Sequence, residues 1–182
     1  MKTLDLADSF RMLPNKIQGT GVEVFLVDSP SALNDLHPYK LSLHTLIIML
    51  DGSVGVGCDG VRESVQRNEA IMLKKDSLVQ FTIPVQHRNS FRSLILFFDE
   101  PTLRYALLPF ELPAASSGPN VLKIPLNEKI KVFTDSILFY YKSTHQNGNW
   151  TILLQNKLRE LVWIFFHTEL KHEAQQFFST TR

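Results

Sequence analysis

One cysteine, Cys58, is all that the 182 residues contain. A single thiol excludes an internal disulfide framework and a cysteine-clustered zinc site, and it fits a reducing, cytoplasmic setting. An excess of one charge is also missing. The 19 Lys+Arg against 18 Asp+Glu leave a net charge of +1, without the cationic surplus of a domain whose main business is gripping phosphates. Long hydrophobic runs are absent as well. A run such as Leu46-Ile47-Ile48-Met49-Leu50 is far short of the roughly 20 residues that cross a bilayer. The start, Met1-Lys2-Thr3-Leu4-Asp5, lacks the apolar region of a signal peptide, so neither secretion nor membrane insertion is expected. Glycine and proline are few, at 8 and 9, and apolar residues make up 44 %. That composition excludes collagen-like and disordered chains and is enough to build a core.

Two halves of the chain differ in period. From Val22 to Phe98 the apolar and β-branched residues fall in short runs bounded by turn chemistry: Val22–Val27, Leu41–Leu50, Ser53–Cys58, Val61–Gln66, Ala70–Leu73, Leu78–Ile83 and Phe91–Phe98. Such runs predict strands of an antiparallel sandwich or small barrel. Asp51-Gly52 and Asp59-Gly60 predict tight hairpins, and His87-Arg88-Asn89-Ser90 a longer hairpin loop. Pro101, Pro109, Pro113 and the stretch Ala114 to Pro119 predict a linker with little regular structure. Beyond it, Ile130, Phe133, Ile137, Leu138 and Tyr141 share one stripe of a helix from Asn127 to Ser143, with Asn127 as cap. His145 to Asn149 breaks that helix. A second is expected from Trp150 to Lys171, where Leu154, Leu158, Leu161, Phe165 and Thr168 form a seam. Leu153, Val162, Ile164 and Phe166 lie off that seam, which predicts a helix that buries two faces.

This arrangement resembles the N-terminal sensor and dimerisation domain of AraC/XylS-family transcription regulators. The resemblance is carried by His37-Pro38-Tyr39-Lys40 through Leu50-Asp51-Gly52, by Asn68-Glu69-Ala70-Ile71-Met72-Leu73, and by the closing run Phe91 to Phe98. It implies a mainly β fold with C-terminal helices, a cupin-like double-stranded β-barrel (jelly roll) followed by an antiparallel helix pair. The implied division is a barrel effector domain over 1–113, a linker over 114–126 and a helical dimerisation segment over 127–182. The family reads DNA through a C-terminal pair of helix-turn-helix motifs, and no such segment follows the second helix here. The chain is therefore expected to be the sensor piece of a longer regulator, the alternative being a stand-alone cupin.

Cupin enzymes hold a metal through G-x5-H-x-H-x4-E-x6-G and G-x5-P-x-G-x2-H-x3-N. Anchoring the first motif on Gly52 puts Lys40, Pro38 and Thr45 at its ligand positions. Anchoring the second on Asn68, 15 residues on, puts Val79 at its histidine. None is a usable donor, and an ammonium at Lys40 repels a cation, so neither metal nor other cofactor is expected. The six histidines form no helical zinc pair. Cys58 has no evident partner, and no G-x-S-x-G elbow occurs, so no catalytic residue is predicted. Gly55-x-Gly57 is too short for a phosphate loop and no helix follows it.

A barrel without metal is an apolar pocket for a small-molecule effector. Strand parity puts Leu43, Thr45, Ile47 and Met49 on one inward face and adds Val79, Phe81 and Ile83. The predicted effector residues are Thr45, Ile47, Val79, Phe81 and Lys40, the last as a cation for a carboxylate or hydroxyl. The resemblance implies a homodimer through Leu154, Leu158, Leu161 and Phe165, with DNA contacted only by a C-terminal domain. An enzyme is the competing reading, a cupin isomerase or dioxygenase with a displaced metal on His44 or His87 and Glu63 or Glu69. A third reading has a fully packed barrel that binds a protein.

Overall fold

The computed structural model describes residues 3–13, 16–33, 37–114, 118–125, 127–143 and 149–179. In chain order the elements are β1 (Leu4–Asp5), α1 (Leu6–Arg11), β2 (Lys16–Gly19), β3 (Val22–Val27), β4 (Tyr39–Lys40), β5 (His44–Asp51), β6 (Ser53–Cys58) and β7 (Val61–Gln66). They continue with β8 (Glu69–Leu73), β9 (Leu78–Thr82), β10 (Arg92–Phe98), α2 (Glu100–Leu107), β11 (Val121–Pro125), α3 (Glu128–Ser143), α4 (Thr151–Phe166) and α5 (Lys171–Phe178). The strands make two sheets, one ordered β1-β4-β9-β6-β7 and the other β11-β8-β5-β10-β3-β2. The ladders join strands only within each sheet. Among the described residues there is thus a mainly β fold of two open sheets with C-terminal helices, and the expected closed barrel is not formed.

Alternation along the strands sorts the apolar side chains into two cores. Phe25, Ile47, Met49, Val54, Val56, Val79, Phe81, Ile95 and Phe97 meet between the sheets, together with Leu6 and Phe10 of α1. Val24, Leu46, Ile48, Ala70, Met72, Leu94, Leu96 and Phe98 face the other way, onto the helices. The six-stranded sheet is therefore buried on both faces, which is why β5 and β10 read as continuous apolar runs.

The turns divide into two kinds. At Asp59-Gly60 both residues have positive φ, 47° and 87°, and β6 pairs directly with β7, so this is the tight hairpin expected. Asp51-Gly52 is not a hairpin. Only Gly52 has positive φ there, and the chain passes from β5 in one sheet to β6 in the other. His87 to Ser90 likewise crosses from β9 to β10, in different sheets, after a short 3-10 turn over Val85–His87. An Asp-Gly pair supplies a sharp change of direction, and both devices use it.

Two elements lie where a structureless linker was expected. Asp99 caps α2 by accepting from the Thr102 amide at 2.9 Å, with proline in its first turn, so Pro101 starts a helix instead of preventing one. Val121 to Pro125 adds to the sheet edge opposite Leu73 to Glu69. Gly21 sits at φ +76° in the β2–β3 turn, and a Cβ there would lie 2.0 Å from Thr102 Oγ1 and 2.9 Å from an Asp99 oxygen. Gly21→Ala should lower stability by about 2 kcal/mol through backbone strain and displacement of this cap; urea unfolding checks it.

Asn127 caps α3 as expected, accepting from the Ile130 amide at 3.0 Å. The break expected at His145 to Gly148 lies outside the described residues. The long second helix is corrected: α4 ends at Phe166, and α5 follows after His167 to Leu170, which places Thr168 outside any helix. Turning there lets Phe178 return onto Phe165 and Phe166, at ring-centroid distances of 6.2 Å each. A continuous helix would carry Phe178 about 18 Å along its axis from Phe166.

Candidate functional site

The space between the sheets is floored by β5, β10 and β3 and roofed by β9 and β6. At its centre Phe10, Phe25 and Phe97 form three edge-to-face pairs, each with centroids 5.6 Å apart, the arrangement aromatic quadrupoles favour. Tyr39 tilts against Phe81 at 6.0 Å. The structure brings four of the predicted effector residues to this space. Ile47, Val79 and Phe81 belong to its core, and Thr45 is fully buried on the same parity as Ile47, its hydroxyl donating to the Leu43 carbonyl at 3.3 Å.

Lys40 does not join them. It is exposed while its neighbour Tyr39 is buried between the sheets, and it pairs with Leu78, itself 49 % exposed. Alternation over β4 places Lys40 on the outer face of the five-stranded sheet. A polar residue that the sequence reading passed over stands inside instead. Ser93 shares the parity of Ile95 and Phe97, lies opposite Met49 and Val27, is 0 % exposed, and its Oγ has no hydrogen-bond partner. A serine between Arg92 and Leu94 at the start of an apolar run was the available signal.

The predicted pairing seam is corrected. Leu154, Leu158, Leu161 and Phe165 are 3 %, 1 %, 1 % and 0 % exposed within the single chain, so they pack on the chain's own core and offer nothing to a partner. Val162, Ile164 and Phe166, off the seam, are in the same core. The sheet, α2, α3 and α5 together cover the width of α4 that seemed to require another molecule. What α4 and α3 leave outside is Ile152, Trp163, Val132 and Phe139, at 73 %, 49 %, 60 % and 65 % exposure.

Among the described residues no three His, Cys, Asp or Glu side chains are grouped so that they could hold a metal ion. Glu69 is committed to the Gln66 amide at 2.9 Å and to Lys123 at 3.2 Å. Burial is the main cause that pushes the Cys58 thiol up to about 11, which keeps it protonated and unreactive at neutral pH. No helix among the described residues is long and apolar enough to cross a membrane.

His44 is 1 % exposed on the helix side of the sheet. It stacks on Phe98 with centroids 5.8 Å apart and accepts from the Lys75 amide at Nδ1, while Nε2 has no partner. Burial pushes its pKa down to about 4 from 6.5, helped by Lys75 and Lys74 and opposed by Glu100 and Asp76. The unfolded chain takes up a proton near pH 6.5 that the folded chain refuses until about pH 4. Stability is therefore fully present above pH 6.5 and falls as pH drops toward 4, by about 3 kcal/mol in all. Denaturant unfolding at pH 7 and pH 4.5 should show this loss, and His44→Gln should remove most of it.

Comparison with known proteins agrees with this architecture. The family model of the ExsA N-terminal regulatory domain matches residues 44–177, the span from β5 to α5. Apo ToxT K231A from Vibrio cholerae strain SCE256 superposes with a TM-score of 0.58 at 12 % identity, over 88 % of this chain and 59 % of that one. Wild-type ToxT from the same strain with an unsaturated fatty acid bound gives 0.48 at 11 % identity, over 85 % and 55 %. The protein YhaK from Escherichia coli gives 0.35 at 14 % identity, over 58 % and 41 %. No match is found among curated protein sequences. The chain thus spans well under two thirds of the length of ToxT. With most of its length matched, from the strand that floors the inter-sheet space to the helix that closes the outer core, the chain belongs to the ExsA N-terminal regulatory domain family, the N-terminal sensing domains of AraC-type regulators.

Proposed function

We propose that the chain is the effector-responsive and dimerising part of a cytoplasmic AraC-type transcription regulator, non-enzymatic, which acts on DNA through a C-terminal domain. The effector lies between the two sheets, against Thr45, Ile47, Val79 and Phe81. The observation that carries this reading is the unpartnered, fully buried hydroxyl of Ser93 in a largely apolar space, where the Thr45 hydroxyl is already satisfied by the Leu43 carbonyl. A buried hydroxyl without a partner is destabilising, and a ligand that supplies one removes the penalty. A ligand that binds one folded arrangement more tightly than another shifts how the attached domains are presented.

An unsaturated fatty acid, the ligand in one of the ToxT structures, is the first probe. It should raise the melting temperature of the chain, and Ser93→Ala should weaken that binding about fivefold, the worth of one hydrogen bond. Lys40→Met should leave it unchanged, because Lys40 is on the outer face. No thermal shift with the fatty acid, or a shift that Ser93→Ala leaves intact, would overturn this placement.

Dimerisation belongs to the same reading and moves to the outward stripe. Val132 and Phe139 are seven residues apart on α3, and Ile152 and Trp163 eleven apart on α4, spacings that keep each pair on one helix face. Lys157 reaches Ser136 at 2.8 Å and Lys129 lies over the Trp163 ring at 5.6 Å, which sets the two helices side by side and antiparallel. Sedimentation should show a dimer that Phe139→Glu dissociates with the fold retained; a wild-type monomer at high micromolar concentration removes this part.

A further inference from the structure

The outer face of the five-stranded sheet carries two adjoining concavities, of about 320 Å³ and 240 Å³, that share Gly57, Arg62 and Gln80. Register explains their shape. Gly57 of β6 lies between Arg62 of β7 and Gln80 of β9, and Gly55 lies between Ser64 and Thr82. Val54, Val56 and Cys58 of the same strand point into the core, so both glycines point outward. The result is a trough about 10 Å wide, two strand spacings, with bare backbone as its floor.

The fold does not require that floor. Neither glycine has positive φ. A Cβ at Gly55 would come no closer than 3.4 Å to Thr82, and one at Gly57 no closer than 3.8 Å to Gln80. Both are ordinary contacts, and glycine weakens a strand interior. The walls are unoccupied too: among the described residues the side chains of Arg62, Gln80 and Thr82 make no hydrogen bond or ion pair. Glu63 lines the same trough, but it is opposite Val56 in the ladder, so it shares the inward-pointing parity; Arg62 is the cation that lines the trough, Lys40 lying on the same face of the sheet but outside the lining. Asp59 at the far end is held by Asn120 at 2.8 Å and by the Leu78 amide at 3.4 Å.

We infer that this trough is a second binding site, separate from the inter-sheet space, for a ring-sized hydroxy acid. The ring lies flat over Gly55 and Gly57, its carboxylate meets the guanidinium fork of Arg62, and its hydroxyls meet the Gln80 amide and the Thr82 hydroxyl. A planar fork matches a carboxylate with two parallel bonds. A bare floor lets the ring approach the backbone where any larger residue would lift it away.

The test is a titration of the full 182-residue chain, observed at the backbone amides of Gly55 and Gly57 by NMR, with D-glucuronate as probe. D-glucose supplies the hydroxyls alone and acetate the carboxylate alone. Saturable shifts at both glycines, at least about tenfold tighter for glucuronate than for either control, support the site. Arg62→Met should weaken binding about tenfold, and Gly57→Leu should abolish it without lowering the melting temperature. Absence of saturable shifts, equal response to all three compounds, or binding that survives Gly57→Leu overturns the inference. None of these outcomes depends on the fatty-acid test, because Arg62, Gln80 and Thr82 bind on the outer face, while Val79, which also borders the trough, has its side chain in the inter-sheet core.

Discussion

Leu161→Glu should unfold the chain, in contrast to the dissociation of an intact dimer that helical spacing alone suggests. Leu161 is 1 % exposed in the core shared by the six-stranded sheet and the helices. Its neighbours one and two turns away, Leu154, Leu158 and Phe165, are buried as deeply. A carboxylate there loses its hydration, and Lys157, one turn back, is already engaged by Glu160 at 2.6 Å and Ser136 at 2.8 Å. The penalty is about 3–5 kcal/mol for an uncompensated buried charge, added to the lost leucine burial, and this approaches the whole stability of an ordinary domain. Far-ultraviolet circular dichroism and a denaturant titration read the effect. A folded Leu161→Glu chain that merely sediments as a monomer would show that the helix packs outward. The contrasting variant, Phe139→Glu, changes a side chain 65 % exposed and should leave stability within about 0.5 kcal/mol of wild type.

The second large effect is expected from Phe97→Ala. Phe97 is 0 % exposed and touches both Phe10 of α1 and Phe25 of β3 edge to face. Removing its ring takes two aromatic pairs from the middle of the inter-sheet core and leaves a cavity that three different elements line. A loss of about 3–5 kcal/mol follows from lost burial and the void together. The same void enlarges the space where the effector is proposed to lie. An apolar probe such as benzene should therefore recover part of the lost melting temperature in Phe97→Ala and do nothing for wild type.

Much of the β half was legible because side-chain parity is local. β3, β6 and β7 begin and end at the residues that hydrophobic runs and turn residues marked, and Thr45, Ile47, Val79 and Phe81 face inward as alternation required. The misreadings share one cause. Asp51-Gly52 and His87 to Ser90 carry hairpin chemistry, yet they connect strands in different sheets. A turn's residues specify a reversal, and the partner of each strand is chosen by contacts far along the chain. Asp99 and Pro101 were likewise ambiguous, since a cap and a breaker use the same residues. Ser93 gave little warning, because its missing partner is a property of everything around it.

The helices make the same division. A heptad-like seam states that Leu154, Leu158, Leu161 and Phe165 must leave water, and it is silent on whether a second copy or the same chain covers them. Here α2, α3, α5 and the sheet converge on α4 from positions remote in sequence and cover them within one molecule. By itself the sequence determined which residues are apolar, their period, and hence which side of each strand or helix is buried. Only the tertiary structure decided what buries it. It set two open sheets in place of a closed barrel, put Lys40 outside and Ser93 inside, and left the glycine floor of β6 bare, because pairing between distant segments follows the free energy of the whole core and not of any single segment.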